Sequence, residues 1–141
     1  MKSSVKIFSF TVLLAMLTLA RAQTAAPAPQ IQNLVSGIKI VHTVVGAGAM
    51  PVPTDKVKVH YRGMLPNGVE FDSSYKEGSP AVFPLSRVIR CWTQALQHMK
   101  VGGKATLSCP AELAYGSKGA GDAIPPNTAL TFDVELLGIE K

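Results

Sequence analysis

Residues 86–100 read S-R-V-I-R-C-W-T-Q-A-L-Q-H-M-K, and this stretch decides the fold. Its apolar side chains recur at steps of three and four residues, which places them on one side of an α-helix. They are Val88, Ile89, Trp92, Ala95, Leu96 and Met99. Ser86 predicts the N-cap, and Lys100 followed by two glycines predicts the end. The pattern therefore indicates an amphipathic α-helix over 86–100, with the only tryptophan facing the core.

On both sides of this helix the chain alternates in the manner of β-strands. We expect strands over 37–45, 56–65, 69–73, 81–85, 104–109 and 128–139. In the second of these, Val57, Val59 and Tyr61 alternate with charged or polar neighbours, which is typical of a strand with one buried face. The predicted fold class is α+β, a twisted antiparallel β-sheet wrapped around one amphipathic α-helix.

The charge of the chain is modest once its first residues are set aside. The 141 residues include 14 Lys and Arg and 9 Asp and Glu, for a formal net charge of +5. Lys2, Lys6 and Arg21 fall within the first 22 residues, which leaves eleven basic against nine acidic residues. Because this charge is small and dispersed, the sequence predicts neither nucleic acid nor an anionic membrane as a partner.

The first 22 residues have the pattern of a signal peptide. Two lysines precede a mostly apolar run over 7–20, and Ala20-Arg21-Ala22 matches the small-x-small pattern of a cleavage site. The apolar run is short for a membrane span, which needs about 20 residues, so an uncleaved anchor is the less favoured alternative. Residues 23–36 then form a Pro/Ala-rich tether before a domain over 37–141. We expect a periplasmic or secreted protein with no membrane span after cleavage near Ala22.

Residues typical of metal, cofactor or nucleophilic sites do not occur in the required spacing. His42, His60 and His98 lie on predicted polar faces as solvated side chains, so we expect no metal site. Neither cysteine belongs to a C-x-x-C pair, which argues against zinc and thioredoxin-like chemistry. The glycine-rich runs lack phosphate-binding spacing, and no cofactor is predicted.

Six short motifs occur in a fixed order along residues 37–141. They are V-H-Y-R-G-M-L at 59–65, F-D-S-S at 71–74, V-I-R-C-W at 88–92, A-Y-G at 114–116, I-P-P at 124–126 and F-D-V-E-L-L at 132–137. In this order and spacing the chain resembles the FKBP-type peptidyl-prolyl cis-trans isomerases. Any one motif is a weak signal, whereas six in register across one domain are specific.

The resemblance implies a site residue by residue. Its catalytic residues would be Phe71, Asp72 and Tyr115. Its substrate-binding residues would be Tyr61, Phe83, Val88, Ile89, Trp92, Ile124 and Phe132. Trp92 would be the floor under the substrate proline ring, and the backbone N–H of Ile89 would face a ligand carbonyl. Tyr115 would direct its hydroxyl at the substrate carbonyl, Ile124 would cover the pocket, and Asp72 would lie at the rim.

The same residues have a simpler interpretation. From periodicity alone, Val88, Ile89 and Trp92 would be ordinary core, and Asp72 could cap the turn that follows it. Tyr115 is harder to explain structurally, because aromatic residues on exposed loops are often binding residues. The joint register with the family pattern favours the functional interpretation.

An aromatic pocket suits the chemistry that the resemblance implies. Rotation of an X-Pro bond crosses a barrier of roughly 20 kcal/mol, because twisting the amide breaks its resonance. An apolar pocket disfavours the polar planar amide relative to the twisted form, and a donor such as Tyr115 can stabilise the rotating carbonyl. No covalent partner is needed.

Three positions depart from the family pattern. Ala81 stands where many members have an aromatic wall residue, and Ala120 where some have histidine. We therefore expect a more open pocket with reduced affinity for macrolides such as tacrolimus and rapamycin. Cys91 replaces a frequent glycine beside the tryptophan.

The two cysteines, Cys91 and Cys109, both lie on predicted inward faces. A disulfide between helix and strand is plausible in an oxidising exported compartment, where it would contribute about 3 kcal/mol. The alternative is a pair of buried free thiols.

The resulting expectation is a peptidyl-prolyl cis-trans isomerase that acts on proline-containing exported polypeptides. The alternative is a peptide-binding chaperone module that uses the same groove without useful catalysis, and a purely structural domain ranks third. A monomer is the default, since no dimerisation segment is recognisable.

Overall fold

The computed structural model of the chain describes residues 27–141. The predicted signal peptide over 1–22, and residues 23–26 of the predicted tether, lie outside the described residues. Seven strands and one α-helix occur in the described part. The strands are β1 (Gln30–Asn33), β2 (Lys39–Val44), β3 (Lys56–Met64), β4 (Glu70–Ser73), β5 (Ala81–Pro84), β6 (Lys104–Cys109) and β7 (Leu130–Glu140), and the helix is α1 (Arg90–Leu96).

The seven strands form one antiparallel sheet in the order β1-β2-β6-β7-β3-β4, with β5 also paired to β3. The long strand β3 pairs with β7 along one side, while its other side is shared between β5 at the beginning and β4 at the end. The predicted α+β fold, an antiparallel sheet packed on one helix, is confirmed.

The face of β3 that meets the helix alternates as the sequence predicts. Val57 and Val59 are fully buried and Tyr61 is half-buried, because every second residue points to the same side. Further along the same face, Gly63 stands directly opposite Phe132 of β7. The end of β3 therefore places a tyrosine side chain on this face, followed by Gly63, which has no side chain. Both residues shape the site described below.

The predicted helix over 86–100 was too long. Residues Leu85–Arg87 form a 3₁₀ turn, Val88 and Ile89 are extended, and α1 covers only Arg90–Leu96. Ser86 caps nothing, and the N-cap residue Ile89 makes no side-chain capping bond. The stretch before α1 is held instead by the hydroxyl of Thr93, which donates to the carbonyl of the buried Leu85 (2.7 Å). Val88 and Ile89 thus fit the helical spacing in sequence, but they lie in an extended segment that precedes the helix.

The tether prediction was wrong at its end. Residues Gln30–Asn33 form β1, which pairs with β2 from Gln30 opposite His42 to Asn33 opposite Lys39. The connection closes where the N–H of Leu34 donates to the carbonyl of Ile38 (2.8 Å). The ordered domain therefore begins before residue 37. As an exposed edge strand, β1 lacks the apolar alternation that would reveal it.

The three histidines are hydrogen-bonded, whereas the sequence predicted simple solvation. The ring Nδ1 of His60 lies 2.9 Å from Ser74 Oγ. The side chain of Gln32 lies between the other two histidines, with its amide nitrogen 3.0 Å from His98 Nδ1 and its oxygen 3.4 Å from His42 Nε2. Within residues 27–141, no three His, Cys, Asp or Glu side chains are grouped in a way that would hold a metal ion.

The loop from Pro110 to Asn127 is internally bonded. Two 3₁₀ turns, Ala111–Leu113 and Gly116–Lys118, stand on either side of Tyr115. The N–H of Asn127 donates to the carbonyl of Gly116 (2.8 Å), which closes the loop on itself. Among the described residues, no helix is long and apolar enough to cross a membrane.

Candidate active site

A hollow of about 320 Å³ lies between the start of α1 and the ends of several strands. Its lining contains nine of the ten residues that the family resemblance implies, together with one that it does not. The lining residues are Tyr61, Phe71, Asp72, Phe83, Arg87, Val88, Ile89, Trp92, Tyr115 and Phe132. Four strands, the helix, the extended segment before it and the long loop each contribute, so the hollow depends on the whole fold.

Five aromatic rings converge on this hollow. Trp92 is buried, and the rings of Tyr61, Phe132 and Phe83 stand nearly perpendicular to its indole with centroids 5.2, 5.4 and 5.7 Å away. Phe71 is perpendicular to Phe132 at 5.7 Å. Edge-to-face packing is a favoured arrangement for aromatic rings, so the rings hold one another in place. The indole N–H of Trp92 finds no acceptor in residues 27–141.

Gly63 makes room for two of these rings. A Cβ atom at this position would overlap the ring of Phe71 and would come within 2.9 Å of Phe132 Cε1. Sequence analysis did not single out this residue. The available signal was a glycine inside an otherwise regular strand, which often marks a close approach by a neighbouring group.

Asp72 lies at the rim of the hollow beside Tyr61, as predicted from the resemblance. The Tyr61 hydroxyl donates to Asp72 Oδ2 (2.7 Å), and Asp72 Oδ1 accepts the N–H of Ser73 (2.9 Å). Burial raises the pKa of Tyr61 well above its ordinary value, and the hydrogen bond to Asp72 raises it further. Tyr61 therefore remains a neutral donor to the carboxylate at physiological pH.

Tyr115 reaches the hollow from the long loop. Its side chain is 39% exposed, and burial of the remainder raises the pKa of the hydroxyl, with a smaller contribution from the nearby Asp72 carboxylate. A hydroxyl that stays protonated is a hydrogen-bond donor available to a ligand in the hollow.

The prediction that Ile124 covers the pocket was wrong. Ile124 is 3% exposed, packs in the core and does not line the hollow. Its N–H and carbonyl both pair with Ala120 across the loop (3.1 and 2.9 Å), and this bridge belongs to the turn that buries the side chain beneath the loop. Phe83, which the resemblance implies as a substrate-binding residue, lines the hollow.

Arg87 is a lining residue that sequence analysis missed. It closes the 3₁₀ turn before α1, where the chain is exposed. In the expected helix over 86–100, nothing distinguished this arginine from other polar residues. In the structure, the extended backbone at Val88 and Ile89 brings it to the mouth of the hollow.

Cys91 and Cys109 form a disulfide in the structure, with their Cα atoms 5.7 Å apart. Both residues are buried. The bond joins the first turn of α1 to the last residue of β6. Cys91 directly precedes Trp92, so the bond lies next to the floor of the hollow.

An antiparallel sheet that holds an aromatic hollow against one short helix defines a class of α+β domain. Similarity to known proteins identifies that class. The family model for FKBP-type peptidyl-prolyl cis-trans isomerase matches residues 48–137, and the chain belongs to this family.

Individual relatives agree with this assignment. The chain is 50% identical over 111 residues to the FKBP-type peptidyl-prolyl cis-trans isomerase FkpA of Aeromonas hydrophila, covering 79% of this chain and 41% of the relative. It is 49% identical over 109 residues to the FKBP-type 22 kDa peptidyl-prolyl cis-trans isomerase of Escherichia coli K12, covering 77% and 53%. The chain thus spans about half the length of the curated relatives it matches.

A solved structure shows the same fold. The crystal structure of a peptidyl-prolyl cis-trans isomerase from Pseudomonas syringae pv. tomato superimposes with a TM-score of 0.74 at 40% identity, covering 79% of this chain and 81% of that one. Unlike the curated relatives, this structure is similar along most of its own length.

Proposed function

We propose that this domain accelerates cis-trans isomerisation of X-Pro peptide bonds in exported polypeptides, without a covalent intermediate or a cofactor. The observation that carries the proposal is the convergence of five aromatic rings on one hollow of about 320 Å³. A proline ring is the compact apolar group that such a hollow accommodates. Membership of the family supports the same reaction.

The first role of the chain is to take the proline out of water. The ring of the substrate proline packs against Trp92, with Phe71 and Phe132 as walls. This environment solvates the planar, polar imide poorly, and it penalises the twisted imide less because rotation removes the amide resonance. The ground state is thereby disfavoured relative to the transition state, which is how a site speeds a reaction without bonding to it.

The second role is to hold the carbonyl that precedes the proline as it rotates. Tyr115 has a hydroxyl that its raised pKa keeps protonated, so it can donate to this oxygen. Ile89 offers a second donor from the wall, because its N–H has no backbone acceptor within residues 27–141 while its carbonyl accepts from Trp92 and Thr93. Two fixed donors at the mouth orient the peptide on the aromatic floor.

Asp72 acts through Tyr61 in this scheme. Its carboxylate accepts from the tyrosine hydroxyl at 2.7 Å, and that bond fixes a ring that packs on Trp92. Phe71 forms the adjacent wall. Both residues therefore set the shape of the hollow, and neither exchanges a proton with the substrate.

The place of action that we propose is the periplasm or the extracellular space, after cleavage near Ala22. The leader pattern over 1–22 supports this location, and so does the disulfide between Cys91 and Cys109, since such bonds persist in oxidising compartments. The partners would be unfolded or folding polypeptides that contain proline, bound by a monomer.

Reduced affinity for macrolides is part of the proposal. Ala81 and Ala120 have small side chains, and neither lines the hollow. A tacrolimus or rapamycin molecule would therefore lose wall contacts that aromatic or imidazole rings provide in other members. Titration followed by the fluorescence of Trp92 tests this, and tight stoichiometric binding would contradict it.

An uncoupled assay on a proline-containing tetrapeptide tests the isomerase activity. We expect the purified protein to accelerate isomerisation above the solvent rate, and Phe71→Ala to lose most of this activity. Tyr75→Ala should keep the activity, because the Tyr75 ring stacks on His60 outside the hollow. Absence of acceleration would contradict the proposal. Protection of an aggregating client that survives Phe71→Ala would instead favour the chaperone alternative.

A further inference from the structure

The disulfide joins the two parts of the chain that carry the floor and the loop of the site. Cys91 is the second residue of α1 and is followed by Trp92. Cys109 is the last residue of β6 and is followed by the loop that carries Tyr115. Both cysteines are buried, at 0% and 1% exposure, so the bond lies inside the packed core.

The helix has few means of fixing its own beginning. α1 has seven residues, its N-cap Ile89 makes no side-chain bond, and its first turn contains no acidic residue. A helix this short does not persist without tertiary support. The bond at Cys91 supplies such support at the turn that contains Trp92.

The loop leaves and returns at the other end of the same bond. Cys109 stands opposite Leu130, the first residue of β7, so both ends of the long loop meet at this pair. Directly after Cys109, the carbonyl of Pro110 accepts the N–H of Leu113 (3.0 Å) and begins the turn that precedes Tyr115. The position of the loop base is thus tied to the first turn of α1.

Breaking the bond must move one of these two parts. Bonded sulfurs lie about 2 Å apart, whereas non-bonded heavy atoms settle at roughly 3.5–4 Å. Because both side chains are buried in a close-packed core, we expect two thiols to displace either the first turn of α1 or the end of β6. We expect either shift to change the position of Trp92 relative to the loop that carries Tyr115.

We propose that the Cys91–Cys109 disulfide is a positioning element of the site, which holds Trp92 in register with the Tyr115 loop and sets the catalytic efficiency of the folded protein. This inference rests on the proposed isomerase function. The two cysteines do not touch the substrate, and they act through their sequence neighbours.

Three forms of the purified protein test the inference. They are the oxidised wild type, the wild type reduced with a phosphine in mild denaturant and then refolded, and the double variant Cys91→Ala/Cys109→Ala. The assay measures kcat/KM on a proline tetrapeptide, divided by the folded fraction from far-ultraviolet circular dichroism. We expect both disulfide-free forms to fall about 10-fold, since a displacement near 1 Å can cost up to roughly 100-fold. We also expect a changed near-ultraviolet signal from Trp92.

A matched control separates positioning from loss of stability. Ile40→Ala removes a fully buried side chain of β2 that does not line the hollow. It should lower the melting temperature while kcat/KM per folded molecule stays at the wild-type value. If Ile40→Ala loses as much kcat/KM as the disulfide-free forms do, the effect is general destabilisation and the inference is wrong.

The remaining outcomes are also decisive. Unchanged kcat/KM per folded molecule in the reduced wild type overturns the inference and leaves the proposed function standing. An inactive oxidised protein overturns the proposed function. The sharp tryptophan bands of the near-ultraviolet circular dichroism spectrum then decide the positioning alone, since the lost disulfide contributes only a broad band: a change in the tryptophan bands on reduction supports it, and unchanged tryptophan bands overturn it. If the double variant does not fold, the reduced wild type gives the answer.

Discussion

Two cavities of nearly equal size near opposite ends of α1 differ in the chemistry of their linings. The aromatic hollow, of about 320 Å³, lies beside the first turn. A second cavity of about 340 Å³, here called the histidine cavity, lies beside the residues that follow the last turn. It is lined by Gln30, Ile31, Gln32, His42, Val44, Val45, Gly46, His98, Met99, Lys100 and Gly103.

The difference shows that lining, and not volume, distinguishes a candidate site. In the histidine cavity one side chain links two of the polar groups, because Gln32 bridges His42 and His98. In the aromatic hollow the rings contact one another at their edges and leave an apolar space whose polar donors lie at the mouth. The aromatic hollow therefore offers a peptide a surface of aromatic rings together with the Tyr115 hydroxyl.

Equal truncations in the two cavities should give the largest contrast. Phe71→Ala removes an apolar wall that is worth about 1.5–3 kcal/mol of contact, so kcat/KM should fall roughly 10- to 150-fold. His98→Ala truncates a ring of the histidine cavity and should leave kcat/KM unchanged. The uncoupled tetrapeptide assay measures both variants, and similar kcat/KM values for the two would remove the distinction between the cavities.

Filling the gap at Gly63 should produce the next largest effect. Gly63→Ala forces its methyl group against Phe71 and Phe132, and overpacking of this kind typically costs about 1–3 kcal/mol of unfolding free energy. We expect kcat/KM to fall as well, since both rings line the hollow. Chemical denaturation and the tetrapeptide assay measure the two effects.

Gly138→Ala is the matched control for this substitution. Gly138 lies in β7, and a Cβ added there meets no atom within 4 Å. Its unfolding free energy and activity should match those of the wild type. An equally large loss in both glycine variants would show that the close approach at Gly63 is not responsible.

Removal of one hydroxyl at the rim should give a smaller effect. Tyr61→Phe keeps the ring against Trp92 but loses the bond to Asp72, a change worth about 1 kcal/mol, so we expect a few-fold lower kcat/KM. Tyr75→Phe makes the same chemical change outside the hollow and should have no effect on activity. Identical kcat/KM values in the two variants would contradict a role for the Tyr61–Asp72 bond.

Alkaline pH should act on the aromatic hollow. Burial raises the pKa values of Tyr61 and Tyr115 above the ordinary 10.0, so folding favours their neutral forms. Their contribution to stability is therefore fully present below pH 10.0 and is lost as the pH rises through the folded values. Activity and unfolding free energy should stay flat through neutral pH and decline only at strongly alkaline pH.

Acid should act on the histidine cavity and give the smallest effect. Burial lowers the pKa of His42 below 6.5, and His98 lowers it further, while Lys100 lines the same cavity. The contribution of His42 is therefore present above pH 6.5 and is lost as the pH falls through its folded value. The melting temperature should decline slightly in acid, and His42→Asn should flatten this decline. An unaltered acid slope in that variant would exclude His42 as its source.

Much of the fold follows from local patterns, and the misses have physical causes. β6 was predicted with its observed bounds, because its buried apolar residues alternate regularly with polar residues. The extent of the helix was wrong because steps of three and four residues occur equally where Val88 and Ile89 run extended along a pocket wall. Periodicity identifies which side chains are buried, but not whether their backbone is helical or extended.

The site could be predicted only through the joint register of the motifs. Single residues such as Trp92 look like core in isolation, and the structure shows that Trp92 is both buried core and pocket floor. The role of Arg87 depends on contacts between segments that are distant in the chain, so no local pattern reveals it, and the local signal at Gly63 was only the presence of a glycine within a strand. Ile124 was misplaced for a different reason, because it pairs with Ala120 inside the loop and its side chain is buried in the core.

The most direct test of the central claim is a nuclear magnetic resonance measurement on the purified protein with a proline-containing peptide. Trp92 is the only tryptophan, so its indole gives a single set of signals. We predict transferred nuclear Overhauser effects between the proline ring protons and this indole, together with cis-trans exchange faster than in solvent. Exchange at the solvent rate, or proline contacts confined to the histidine cavity, would contradict the account.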